Sequence, residues 1–447
     1  MLAGSAVLLA PIVLAARRPL GRPAQPIAQQ HAAPVVASPT WLSVLDFGAS
    51  PNSTDNTPAF AAALAAAAAR GGTTVLAPSG TYKLKGSLEI PPGVTLAGSY
   101  SSVPSHDLRG TNTVPDDGSV LVPTGGRGSE DGPAFVTVHA NAAMSRLCIW
   151  YAEQERTQLP VPYPWTVIMD GANAAVTDVE LLGSWNGINA TGAHRHYIAR
   201  VQGHPLNIGV FVDATYDIGR LEDVHFNPWF SCEHPFIEYQ LVHGRAFVLG
   251  RSDWEYVFNT FAFGYAVGYH FVKTPTGEMN GNFLGIGADL AINASVLVDA
   301  SQPAGLLITN GEFTAFHTKE WLPNSTQEST QVVTSPTNVG GIKLVSSSFW
   351  GMSSQIALLR GTGTVTFSGC EFVQWDLQAK DGRAAIRAEA GALVLQGNTF
   401  DDDKAQVSLG ADVTKAVITG NIIKGEQRIA VASKKTVAKI GFNAADE

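Results

Sequence analysis

Asp213, Asp217, Asp253, Glu255 and Asp289 are the residues of this sequence whose type and spacing best suit general acid and base chemistry. Hydrolysis of a glycosidic bond needs a carboxylic acid that donates a proton and a second carboxylate that activates water or attacks carbon. Asp213 and Asp217 lie either side of Tyr216's segment in GVFVDATYDIGRLEDVHF, Asp253 and Glu255 flank Trp254 in GRSDWEYVFN, and Asp289 stands in the apolar, glycine-rich GNFLGIGADLAIN. In a strand, residues two apart share a face, so Asp253 and Glu255 are expected to point together and Trp254 away. If the chain winds so that Asp213, Asp253 and Asp289 fall on successive coils, carboxylates two coils apart have backbones about 9–10 Å apart. That separation suits the roughly 6.5–9.5 Å between the carboxyl groups of an inverting hydrolase.

A second chemistry is written in SWNGINATGAHRHYIARVQGHPLN. His194 and His196 flank Arg195, a grouping suited to gripping the acid group of a uronate, and His194, His196 or Tyr216 could serve as the base of a β-eliminating lyase. Trp185, Trp229 and Trp254, with Tyr216, offer the apolar faces on which sugar rings stack. No metal or cofactor is expected: the two histidines are only two apart, and Cys148, Cys232 and Cys370 are widely separated with no CxxC pair. All three cysteines read as small buried apolar residues.

These groups can work together only if a rigid frame holds them, and the composition describes one. Of the 447 residues, 45 are Gly and 25 are Pro, only 15% are charged and 45% are hydrophobic, a profile of many short buried strands joined by turns. Val179, Val201 and Val224 recur in like surroundings at 22 and 23 residues. Phe372, Phe400 and Ile422 do so at 28 and 22, as expected of coils in a β-solenoid. Asn310, Asn398 and Asn421 fall in the turns TNG, QGN and TGN, where an asparagine tolerates unusual backbone angles and its amide can bond the next coil. The formal charge is −9, and no run of Lys or Arg is long enough to track a phosphate backbone, so nucleic acid is not expected as a partner.

Residues 41–98 carry the clearest local order. Asp55 or Asn56 can cap a helix, Pro58 suits its first turn, Phe60 and Leu64 share a face, and Gly71 with Gly72 stops it. Such a helix would cover the open end of a β-stack. DFGA, then D-N-T-x-A, GGTTVLAPSGTY and LEIPPGVTLAG resemble the entry module of the pectate-lyase-like superfamily, which includes polygalacturonase-type glycosidases, polysaccharide lyases and phage tailspikes. The resemblance implies an all-β, single-stranded right-handed parallel β-helix with an N-terminal capping helix, and a polysaccharide as partner; it leaves a homo-oligomer open. The glycosidases' NTD and GHG motifs are missing, the chain has GIK at Gly341–Lys343, and the acid pairs stand at Asp116–Asp117 and Asp401–Asp403. The fold is therefore carried over and the family's catalytic residues are not.

The expected organisation is an export segment at 1–25, a Pro- and Ala-rich linker at 26–40, and one β-helix over 41–447, with a substrate groove at 150–290 and further coils at 300–447. No segment after the first is apolar enough to span a membrane. The function expected is a secreted or periplasmic carbohydrate-active enzyme, a glycoside hydrolase first, with a polysaccharide lyase or a noncatalytic glycan-binding solenoid as alternatives.

Overall fold

The computed structural model describes residues 41–107, 114–316 and 319–446; the expected export segment and linker lie outside the described residues. The α-helix of the entry module, α1 (Thr57–Ala69), starts after Asn56. The capping group is the neighbouring Asp55, whose Oδ1 accepts from the Thr57 N–H at 2.9 Å. The helix ends where Gly71 and Gly72 take φ of +84° and +104°. Phe60, Ala63, Leu64 and Ala67 are buried, with the Phe60 ring 5.4 Å from that of Tyr82, so α1 closes the first coil as the sequence predicts.

All 36 described strands join one continuous sheet, and every pairing between named strands is parallel. The pairings sort into three ladders that run through the described residues. In the coil built on Tyr197–His204, residues 197–199 belong to the first ladder and 201–204 to the second. Ile208–Asp213 then belongs to the third. Between the first and second ladders the backbone turns at one residue of positive φ: Asp178, Arg200, Asp223, Asn259, Gly285 and Asn310 on consecutive coils. A parallel winding of this kind is right-handed for the same reason that β-α-β crossovers are. No helix among the described residues is long and apolar enough to cross a membrane.

The predicted repeats are in register: Val179 pairs with Val201, and Val201 with Val224. One expectation slips by a residue. Phe372 pairs with Phe400, but Phe400 pairs with Ile423, so Ile423 points inward and Ile422 is 61% exposed. Alternation along a strand makes a slip of one residue a change of face. The interior is a column of like residues, with Ile198, Leu221, Val257, Phe283, Ile308 and Leu344 stacked coil on coil and all buried.

Asparagine amides tie the corners of the last coils. Asn398 Oδ1 accepts from the Cys370 N–H at 2.9 Å, Asn421 Oδ1 from the Asn398 N–H at 3.0 Å, and Asn443 Oδ1 from the Asn421 N–H at 3.0 Å. Asn398 and Asn421 are 1% exposed, so no water replaces a lost partner. Asn421→Ala is expected to lower stability by about 2 kcal/mol, because it leaves the Asn398 N–H buried and unpaired. A denaturant titration of that variant against the parent checks this.

The long insertions leave the winding at one corner. Between the second and third ladders run 151–164, 227–244, 315–329 and 373–385, and 227–244 contains α2 (Phe236–His243). Residues 98–107, which follow the first ladder, fold back over the second, where Ser105 and His106 bond Gln202 and Glu180.

Candidate active site

Strand alternation decides which side chains of the second ladder reach solvent. Ala288 and Phe313 pair with each other and are buried, so their neighbours Asp289 and Glu312 point outward on adjacent coils. Phe349 lies inward above Phe313, and its neighbour Trp350 stands outward directly above Thr314. Glu312 pairs with Gly287, two residues from Asp289. A strand spacing of about 4.8 Å and a two-residue advance then put the Asp289 and Glu312 backbones about 8 Å apart on the diagonal.

The side chains are held. Thr314 Oγ1 donates to Asp289 Oδ1 at 2.5 Å. Trp350 Nε1–H donates to Glu312 Oε1 at 2.9 Å while its ring stays 40% exposed. Both carboxylates line one depression of about 320 Å³, with Phe261, Trp350, Asn259 and Asn310 around them. Gly287 forms part of its floor: a Cβ there would meet Phe261 Cδ2 at 2.9 Å, so any larger residue would displace the aromatic wall. The arrangement presents two carboxylates and an aromatic face to whatever enters. Asp289 is a predicted residue; Glu312 and Trp350 are not, and they lie beyond the expected groove at 150–290.

Nine of the predicted residues gather elsewhere, at the turns from the third ladder to the first. There the corner residues form their own ladder. Asn173 Nδ2 donates to Asn141 Oδ1 at 2.8 Å, Arg195 Nε to Asn173 Oδ1 at 2.8 Å, and Arg195 Nη1 to Asp217 Oδ2 at 2.8 Å. Asn141, Asn173, Arg195 and Asp217 all have positive φ. The Arg195 contact and the Ile218 N–H hold the Asp217 carboxyl below its usual range. Beside this column His194 Nδ1 accepts from the Tyr216 N–H at 2.9 Å, and the Arg251 guanidinium lies 4.8 Å from the centre of the Tyr216 ring.

Asp253 and Glu255 do not point together, because the strand starts only at Glu255 and Trp254 takes φ of +68° in the turn before it. Asp253 pairs with Arg251 at 2.9 Å, which holds its carboxyl low, and it accepts from Gln302 Nε2 at 2.8 Å. Glu255 turns inward and is fully buried against His196, with Oε1 to Nε2 at 2.9 Å. Asp213 Oδ1 accepts from the Arg251 N–H, Thr274 Oγ1 and Thr276 Oγ1, each at 2.8 Å, so it fastens the next two coils. Trp254 is 59% exposed and donates from Nε1 to the Tyr256 hydroxyl at 3.0 Å. Asp213, Asp253 and Asp289 thus fall on a strand end, a turn and a different ladder, not on one face.

The remaining two stand at the opposite corner. Trp185 is 4% exposed and packs 4.9 Å from the Tyr239 ring of α2, and Trp229 packs 4.9 Å from the His225 ring. Both support the 227–244 insertion.

A larger cleft, about 1140 Å³, opens on the third ladder near the C-terminal coils, and most of its lining charges are held in ion pairs. Arg383 binds Glu328 at 2.5 Å and Asp381 at 2.6 Å, the latter contact bringing the Asp381 carboxyl down to about 2. Arg387 binds Glu389 at 2.8 Å, and Arg428 binds Asp403 at 2.6 Å. Among the described residues, no aromatic side chain lines it. Size favours this cleft, whereas two outward carboxylates beside an exposed ring favour the smaller depression, and chemistry depends on the latter.

Residues 41–145 match the family described as rhamnogalacturonase A/epimerase, pectate lyase-like. No curated protein matches the chain. Among solved structures it is similar to the A-module of the mannuronan C-5 epimerase AlgE4 of Azotobacter vinelandii, with 12% identity, 91% of this chain and 99% of that one covered, and a TM-score of 0.34. It is similar to the catalytic unit of a GH87 α-1,3-glucanase of Streptomyces thermodiastaticus, with 14% identity, coverage of 92% and 69%, and a TM-score of 0.38. It is similar also to a tailspike protein of E. coli bacteriophage HK620 in complex with pentasaccharide, with 12% identity, coverage of 86% and 67%, and a TM-score of 0.48. The entry module thus matches a pectate-lyase-like family over residues 41–145, and the three ladders wind as a right-handed parallel β-helix.

Proposed function

We propose that this protein is an exported carbohydrate-active enzyme that hydrolyses a polysaccharide, with Asp289 and Glu312 as its two carboxyl groups. The observation that carries this reading is their placement on adjacent coils of one ladder, facing outward into one depression beside the exposed Trp350 ring. A sugar stacked on Trp350 would present its glycosidic oxygen to one carboxyl group as proton donor, while the other draws a proton from the attacking water. An inverting mechanism, with the attacking water held between the two carboxyl groups, is the version this placement is proposed to serve. Carbohydrate chemistry also agrees with the family that residues 41–145 match, and export with the apolar N-terminal run.

The lyase reading has less support. Its substrate-steadying Arg195 is engaged by Asn173 and Asp217, and Nδ1 of its base His194 is already accepting from backbone. Incubation with a panel of plant, algal and bacterial polysaccharides tests the choice. Hydrolysis is expected to release new reducing ends without the ultraviolet absorption of an unsaturated uronate; absorption growing with time would replace hydrolysis by elimination. On the polysaccharide that is cut, Trp350→Ala is expected to raise KM about tenfold, the value of roughly 1–1.5 kcal/mol of stacking, as initial rates would show.

A further inference from the structure

We propose that His106, Cys148 and Glu180 form a metal site of the zinc class that clamps residues 98–107 onto the second ladder. Cys148 and Glu180 are partners in register on adjacent coils, both outward-facing and both fully buried beneath that segment. His106 comes down from it: its backbone N–H donates to Glu180 Oε1 at 2.7 Å, and its Nδ1 meets Glu180 Oε2. One ligand atom from each residue lies within 4.8 Å of the other two. A tetrahedral ion with bonds of about 2.0–2.3 Å holds its ligand atoms roughly 3.5 Å apart, so small side-chain rotations suffice to admit one.

The donor set selects the ion. A thiolate, an imidazole nitrogen and a carboxylate suit zinc or cobalt, whereas calcium and magnesium take oxygen ligands. Binding would form the metal–sulfur bond and release the Cys148 thiol proton to solvent. The histidine is already oriented: with Nδ1 turned toward Glu180, the other ring nitrogen of His106 contacts Asp117 Oδ1 at 2.5 Å. A carboxylate on the far nitrogen is how proteins orient a metal-binding histidine. The ladder register, not the sequence spacing, assembles these ligands, which is why the cysteines read as apolar filler from sequence.

The test uses the full chain, reduced and stripped with chelator, then titrated with Zn²⁺ by calorimetry and with Co²⁺ by absorption. One equivalent of each should bind, with a thiolate-to-cobalt charge-transfer band. Cys148→Ser should abolish the band and weaken Zn²⁺ binding at least a hundredfold. Asp117→Asn should weaken it ten- to a hundredfold, and His194→Ala should change neither. The cobalt spectrum of the parent protein needs no variant to fold. Absence of the band there, its persistence in Cys148→Ser, or equal loss in His194→Ala would overturn the assignment.

Discussion

Glu312→Gln is expected to lower turnover of the cleaved polysaccharide by about 10³-fold while leaving the fold intact, and Asp289→Asn to do the same within a factor of ten. Each substitution keeps shape and the neutral hydrogen bond from Trp350 or Thr314 but removes the group that ionises. Both residues sit at the solvent side of a ladder whose inward neighbours, Ala288 and Phe313, carry the packing, so stability should move by less than about 1 kcal/mol. Asp217→Asn and Asp253→Asn are the contrasting pair. Their carboxylates are bound to Arg195 and Arg251, and turnover should stay within a few-fold of the parent. Steady-state rates for the four variants separate a site on the second ladder from one at the corner of the first.

Glu255→Gln is expected to be the most destabilising single change among the predicted residues, by about 3–5 kcal/mol, because it strands a buried imidazole. Glu255 and His196 are both fully buried. The ring meets acceptors on both sides, Nδ1 at the Ala193 carbonyl and Nε2 at Glu255, each at 2.9 Å, and Ser252 Oγ donates to the other carboxylate oxygen at 2.7 Å. Gly219 makes the room, since a Cβ there would lie 2.4 Å from Glu255 Oε2. Burial is the largest influence on His196 and pulls its pKa down, yet the charge and hydrogen bond of Glu255 outweigh it, and the net direction is up from 6.5. A raised folded-state pKa gives stability that is fully present below the unfolded value of about 6.5 and lost as pH rises through the folded value. Denaturant midpoints measured across pH should therefore fall on the alkaline side of about 6.5 in the parent, and that slope should flatten in Glu255→Gln.

The frame was legible because a solenoid repeats its own evidence. Val179, Val201 and Val224 each report the same inward position, and the errors average out over coils. The asparagine turns were legible for the same reason, although Asn310 takes the positive φ itself while Asn398 and Asn421 follow a glycine that does. The site was only half legible. Asp289 stood out by its apolar setting, but Glu312 was hidden in TNGEFT, where the inward Phe313 already fixes its neighbour as outward. The alternation that identified the core phenylalanines would have found it. The corner cluster misled for a physical reason: at the turns from the third ladder to the first, positive-φ residues such as Arg195, Asp217 and Trp254 break the alternation that placed Asp253 and Glu255 side by side. Acids and arginines 22 residues apart there are rungs of a corner ladder, as Arg195 and Asp217 are. Contacts between residues 98–107 and the second ladder had no sequence signal, because no periodicity reports where an insertion folds back.

A crystal structure of the Glu312→Gln variant soaked with an oligosaccharide of the cleaved polymer tests the central claim most directly. The account predicts a sugar ring stacked on Trp350, with a glycosidic oxygen within hydrogen-bonding reach of Asp289 or the side chain at 312. An oligosaccharide seated in the Arg383-lined cleft, or along the Tyr216 corner with the second ladder bare, would contradict it.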